Sequence, residues 1–229
     1  MLAADEIAKR LREVRERIAQ AARRSARPLD AIRLVLAGKT QPPEAIRAAY
    51  LAGARDFGEN YVQEAASKRA ELADLSDAIW HLIGHLQTNK AGLARRTFDI
   101  IQTLDSVRLA EAIARVRPLP PIRVLIEVNL GGEASKSGVA AREVESLIKA
   151  TRDKVEIAGL MTIPPPAEST GAARKYFAEL RTLRDRLAAR SGLALSELSM
   201  GMTEDFEVAI EEGATMVRVG RAVFGERSK

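Results

Sequence analysis

The strongest constraint in this 229-residue chain is a repeated alternation of short apolar runs with longer segments of helical period. Apolar runs lie at 32–37, 54–57, 79–83, 98–103, 122–129, 156–161, 196–200 and 215–219, and each reads as a buried strand. The intervening segments 43–52, 60–73, 86–95, 106–117, 140–152, 170–190 and 204–212 carry helical patterns. The clearest is 170–190, where Tyr176, Phe177, Leu180, Leu183 and Leu187 line one face. Such alternation implies right-handed crossovers and a parallel sheet. Eight units in about 200 residues predict an α/β fold, a single (β/α)8 barrel domain over 1–229. A doubly wound open sheet is the alternative. Little chain follows the last strand. Residues 3–24, with Ile7, Leu11, Val14 and Ile18 on one face, therefore predict an extra N-terminal helix covering the flank of a full eighth helix.

Composition narrows the function classes. At 46% hydrophobic the chain can bury a sizeable core, and it has no Cys, which excludes disulfides, thiolate metal sites and cysteine nucleophiles. No apolar run approaches the roughly 20 residues of a membrane helix. The N-terminus carries charges throughout, so a cytoplasmic protein without a secretory signal or membrane partner is expected. The net charge of +5 invites nucleic acid, but one Trp, three Tyr and five Phe leave few stacking platforms. Charges also alternate in sign, as in Arg12 to Arg17, so no nucleic-acid partner is expected. His81 and His85 are the only histidines and lie in no metal-ligand motif, so no metal is expected either.

Barrel sites form at the C-terminal ends of strands, and polar residues and glycines gather there. Lys39 follows the first strand on the parity of Val35 and Ala37, beside the small Gly38. An amine at the mouth of an apolar barrel is desolvated and suited to Schiff-base chemistry; the plainer reading is a lysine snorkelling to solvent. Gly38-Lys39-Thr40 is not a P-loop tail, because position 33 is Arg where that motif needs Gly. Asn60 reads as the N-cap of the helix after the second strand. Ser199, Gly201, Thr203, Gly220 and Arg221 close the seventh and eighth strands before helix starts, where barrels often hold phosphate. Glu204 and Asp205 are explained equally well as dipole caps. Arg218 points inward by parity, towards either a salt bridge with Glu127 or a ring nitrogen. His81 contacts a ligand or satisfies the core.

Taken in order, seven segments closely resemble the pyridoxal phosphate homeostasis family (YggS/PROSC type). They are Gly38-Lys39-Thr40, the run from Phe57 to Glu64, the run from Trp80 to Lys90, Ser135-Lys136-Ser137-Gly138, Gly159-Leu160-Met161, Ser199 to Met202 and Met216 to Gly220. The resemblance implies a barrel like the N-terminal domain of alanine racemase, with pyridoxal 5′-phosphate (PLP) held by Lys39 as a Schiff base. It implies that Ser199, Gly220 and the backbone of Arg221 hold the phosphate, with Gly201 close by, and that Arg218 faces the pyridine nitrogen. Asn60, His81 and Met161 would line the cofactor, and Lys136 would stand at the mouth as a second or transfer lysine. Two positions depart from the family pattern, Gly38 for its usual Ser and Arg221 for its usual Thr.

The implied role is to bind, buffer and deliver PLP without catalytic turnover, with PLP-dependent apo-enzymes as partners, as a monomer or weak dimer. An Arg opposite the ring nitrogen keeps it unprotonated and weakens the cofactor as an electron sink, which favours a carrier. Alanine racemase also uses a second domain for which this chain has no length. The alternatives are a single-domain PLP-dependent racemase, a Schiff-base aldolase using Glu127 and Lys136, and a basic RNA-binding barrel.

Overall fold

Helix α1 (Ala4–Arg24) buries the stripe Ile7, Leu11, Val14, Ile18, Ala21 and Ala22, with Asp5 and Glu6 in its first turn and Arg23 and Arg24 in its last. That charge order complements the helix dipole at both ends. In the computed structural model, which describes residues 2–117, 119–133, 137–165 and 170–226, strand and helix then alternate along the chain. The first half comprises β1 (Arg33–Ala37), α2 (Pro43–Leu51), β2 (Asp56–Glu59), α3 (Val62–Glu71), β3 (Ile79–Leu82), α4 (Ala91–Thr97), β4 (Ile100–Leu104) and α5 (Val107–Ala114). The second comprises β5 (Arg123–Asn129), the two-residue β6 (Val139–Ala140), α6 (Val144–Thr151), β7 (Glu156–Met161), α7 (Thr170–Ser191), β8 (Glu197–Ser199), α8 (Phe206–Glu211), β9 (Met216–Val219) and α9 (Arg221–Phe224).

Eight parallel strands close into a ring in the order β1-β2-β3-β4-β5-β7-β8-β9. The ring is completed where β9 lies along β1, Val35 opposite Arg218, and where β4 lies along β5. β6 pairs beside the end of β5, outside that ring. The expected (β/α)8 barrel is the observed fold, and the open sheet is excluded. Strand β4 is buried at every position, as a strand covered on both faces must be. Val35, Leu125, Ala158, Met161 and Met216 form a separate apolar cluster inside the ring. The larger core lies between strands and helices.

The sequence runs mark the strands within a few residues. Two starts differ. The stretch expected to be helical from 86 begins as a 3-10 turn at Thr88–Lys90 ahead of α4. Asn60 is not the cap of α3, which starts after Tyr61 and has no side-chain cap bond, because the chain is still extended at Tyr61.

The first helix covers the flank left by the four-residue α9, packing against α2, α8 and α9. Its arginines fasten it there. Arg15 donates to the carbonyls of Ala52 and Gly53 at the end of α2. Just beyond α1, Arg27 donates to those of Ile210 and Ala214 at the end of α8. Ala52, Gly53 and Ala214 lie in the turns that follow the two helices. Arg17 and Arg24 add ion pairs with Glu207 and Glu211. Among the described residues, no helix is long and apolar enough to cross a membrane. Leu11 is fully buried in this seam. Leu11→Ala is expected to cost about 2–5 kcal/mol in urea unfolding, while an exposed change such as Leu51→Ala costs within about 0.5 kcal/mol.

Candidate functional site

The C-terminal mouth of the barrel gathers most of the residues expected there. Lys39 lies two residues past β1 and is partly buried. On the neighbouring strand Arg218 is buried inside the ring, 4% exposed. A buried guanidinium must be hydrogen-bonded to be tolerated. Arg218 Nη1 donates to Ser199 Oγ at 2.7 Å, and Nη2 donates to the Thr162 carbonyl at 2.9 Å. Ser199 Oγ in turn donates to Gln102 Oε1 at 2.5 Å. Gln102 Nε2 lies 2.9 Å from His81 Nδ1, and His81 Nε2 lies 2.9 Å from Asp56 Oδ1. With Gln102 donating to Nδ1, His81 carries its proton on Nε2 and donates to Asp56. Every bond runs one way, from a cation at the mouth to a carboxylate at the start of β2.

Burial pulls the Arg218 guanidinium down to about 10, while Glu127 and Asp205 act in the opposite direction. It stays cationic at neutral pH. It closes no salt bridge with Glu127 among the described residues, so the interaction between those two acts across the site. Glu127 is 6% exposed and its Oε2 has no hydrogen-bond partner. Its carboxyl is pushed up to about 7, first by burial and then by Asp105, with Arg218 working against both.

Asn60 and Glu127 line a cleft of about 310 Å³ with Ile83, His85 and Asn129. Met161 is fully buried in the interior apolar cluster. Ser199 and His81 are also fully buried. The proton of Ser199 is committed to Gln102, so it cannot be donated to an anion in this arrangement. Gly201 has φ +89°, and a Cβ there would lie 2.5 Å from Ala209 Cβ, so only glycine fits this turn. Gly220 caps α9 close to Ala37, where an added Cβ would be 3.1 Å from the carbonyl oxygen. Arg221 turns its side chain outward to Glu204 at 3.0 Å, leaving its backbone at the helix start. Lys136 lies outside the described residues. No cluster of three or more metal-ligating side chains occurs among the described residues.

Inspection of the sequence missed Gln102 and Asp56. An amide amid Ile100, Ile101 and Leu104 was the available signal for Gln102. Asp56 begins its strand and carried none. It also missed the charges behind Lys39, where Lys68 Nζ lies 2.8 Å from Glu59 Oε1 and 2.7 Å from Glu64 Oε1.

The parallel barrel places a lysine at the mouth of one strand and a buried arginine on the next. The model of the alanine racemase N-terminal domain matches residues 10–228. The structure of alanine racemase from Corynebacterium glutamicum shares the fold at TM-score 0.74 and 19% identity, over 98% of this chain and 62% of that one. The chain belongs to the pyridoxal phosphate homeostasis protein family. The family member from Aquifex aeolicus is 47% identical over 95% of this chain and 97% of its own length. That from Pseudomonas aeruginosa is 43% identical, covering 96% of each. These relatives are named as homeostasis proteins, not as enzymes. PipY of Synechococcus elongatus, solved with PLP bound, superposes at TM-score 0.85 with 38% identity, over 96% of this chain and all of that one.

Glu127 gives a pH prediction with a fixed sign. From its ordinary 4.5 up to about 7, the folded protein holds a proton that the unfolded chain has lost. Stability therefore falls as pH rises through that window. Glu127→Gln, permanently neutral, is expected to gain on wild type in denaturant melts at pH 8 but not at pH 4. The gain is up to roughly 3 kcal/mol, at about 1.4 kcal/mol per pKa unit.

Proposed function

We propose that this chain, acting over 1–229 as one barrel, binds PLP through Lys39 and serves its storage and delivery to PLP-dependent apo-enzymes. The observation that carries this reading is the buried Arg218 cation on the strand beside Lys39, in a chain whose family includes a structure with PLP bound. The residues fit the cofactor. Gly201 makes a turn only glycine can make, against Ala209 and Phe206 of α8, and Gly220 brings the end of β9 close to the Ala37 carbonyl of β1, so both strand ends present backbone without a side chain. When bound, PLP supplies an aldehyde that an amine can hold and a ring that draws electrons when its nitrogen is protonated.

Lys39 would hold the cofactor, its amine serving as the Schiff-base partner for the aldehyde that PLP would supply. Arg218 would face the ring nitrogen, and a fixed cation there would disfavour protonation of that nitrogen. The backbone of Gly201, Gly220 and Arg221 takes the phosphate, because the first N–H groups of α9 have no intrahelical acceptors. Asn60 and Met161 border the ring. His81 and the hydroxyl of Ser199 act one layer deeper, by holding Arg218. Lys136 remains the candidate second lysine. With Arg218 in place of a carboxylate the protein is a carrier without efficient turnover. It works in the cytoplasm as a monomer or weak dimer.

Purified protein mixed with PLP is expected to gain a yellow absorbance band that borohydride bleaches and Lys39→Ala abolishes. Protein that stays colourless overturns PLP binding. A second measurement addresses turnover. Alanine racemisation should remain near the rate of free PLP, and robust racemisation that scales with PLP occupancy overturns the carrier role.

A further inference from the structure

Behind Lys39, on the side away from the barrel interior, three charged side chains converge on the backbone that flanks it. Lys68 on α3 is 5% exposed, and its ammonium donates to the Gly38 carbonyl at 2.7 Å. It also reaches Glu59 Oε1 at 2.8 Å and Glu64 Oε1 at 2.7 Å. Glu64 Oε1 accepts in addition from the Thr40 backbone N–H at 2.7 Å. The carbonyl before Lys39 and the amide after it are thus tied to one ion cluster. The ladder adds a third tie, from Gly38 N–H to the Gly58 carbonyl at 2.9 Å.

Two further features show that the cluster is fitted to this loop. Thr40 has φ +64°, a conformation that a β-branched residue keeps only when its surroundings dictate it. The turn it makes is closed by Gln41 N–H to the Gly38 carbonyl, the oxygen that Lys68 also holds. At position 38 itself, an added Cβ would lie 2.9 Å from Glu59 Oε1 and 2.7 Å from Ile46 Cδ1. Glycine at this place is what lets the Glu59 carboxylate come up beneath the loop. Glu59 is fully buried, which pushes its carboxyl up to about 7 while the bond to Lys68 works against that shift.

We propose that Lys68, Glu64 and Glu59 are positioning residues that clamp the backbone on both sides of Lys39 and so set the approach of its amine to the aldehyde of PLP. The inference rests on the reading of Lys39 as the anchoring amine. None of the three touches the cofactor in this scheme; they act through the carbonyl of residue 38 and the amide of residue 40. Misplacing a reacting group by about 1 Å can cost 10²-fold in rate, so a loosened clamp is expected to slow condensation with PLP while leaving the barrel folded.

The test compares Glu64→Ala with Glu64→Gln. Glu64 is partly exposed, so both should fold; Gln keeps an acceptor for the Thr40 N–H and Ala does not. In the apo protein, hydrogen exchange at the Thr40 amide, read by NMR, should quicken at least tenfold in Glu64→Ala and return close to wild type in Glu64→Gln. Mixed with PLP, Glu64→Ala should gain its absorbance band about tenfold more slowly, with Glu64→Gln again restoring most of the rate. Lys68→Met, which loses the tie to the Gly38 carbonyl and keeps the Glu64 bond to the Thr40 N–H, should also gain the band more slowly than wild type; if it fails to fold, the Glu64 pair decides. Faster Thr40 exchange with an unchanged rate of band formation overturns the proposal, and so does wild-type exchange in Glu64→Ala. Lys39→Ala separates the two levels. A band that survives Lys39→Ala refutes the anchoring role itself, whereas a band lost in Lys39→Ala but formed at wild-type rate in the clamp variants refutes only the positioning role.

Discussion

The interior of the barrel is organised around one buried cation. Arg218 lies within a ring whose other inward residues include Val35, Leu125, Met161 and Met216, where an uncompensated charge would not be tolerated. Ser199, the Thr162 carbonyl, Gln102 and His81 meet that demand, and the chain of donors ends on the Asp56 carboxylate. Strands β9, β8, β4, β3 and β2 each contribute one member. Their register is therefore coupled, since a one-residue slip in any of them would turn its polar residue out of the ring. The same bonds fix the plane of the guanidinium. Chemistry at the mouth and packing in the middle of the barrel thus depend on a single line of hydrogen bonds.

The outer layer solves a different problem. A (β/α)8 barrel needs its sheet covered all round, and the four-residue α9 is too short to cover its share. Helix α1 does so from the other end of the chain. The arginines on and just after it use carbonyls at and just past the ends of α2 and α8 as acceptors, so closing the gap also gives those backbone groups donors. Much of the basic excess of this chain has that structural use. Arg15, Arg17, Arg24 and Arg27 bind the chain to itself.

The barrel was legible in the sequence because its signal is local and repeated. Short, mainly apolar runs alternate with segments of helical period, so eight consecutive units sufficed. Lys39, Arg218 and the glycines of the mouth were legible for a related reason: strand ends and alternation place them with no knowledge of what they touch. Roles were less legible than positions. Ser199, expected at a phosphate, donates its proton to Gln102, and of the two roles open to His81, ligand contact or satisfying the core, its bonds to Gln102 and Asp56 fit the second. Nor could spacing reveal that Arg221 would turn outward to Glu204, or that the cap of α3 would pass over Asn60.

By itself the sequence determined the number of units, their parallel order, the inward parity of Val35 and Arg218, and family membership through ordered motifs. These follow from periodicity and residue identity along short stretches. Tertiary structure alone decided which polar groups are paired and which stay open. Asp56, His81, Gln102, Ser199 and Arg218 are scattered over more than 160 residues, and only closure of the ring brings them into one line. The same holds for Lys68, which on its helix looks like any surface lysine. Packing of α3 against the end of β2 takes its ammonium out of water and onto the Gly38 carbonyl, beside Lys39. Partner choice for buried charges is set by distances between segments remote in sequence, and no local pattern encodes those distances.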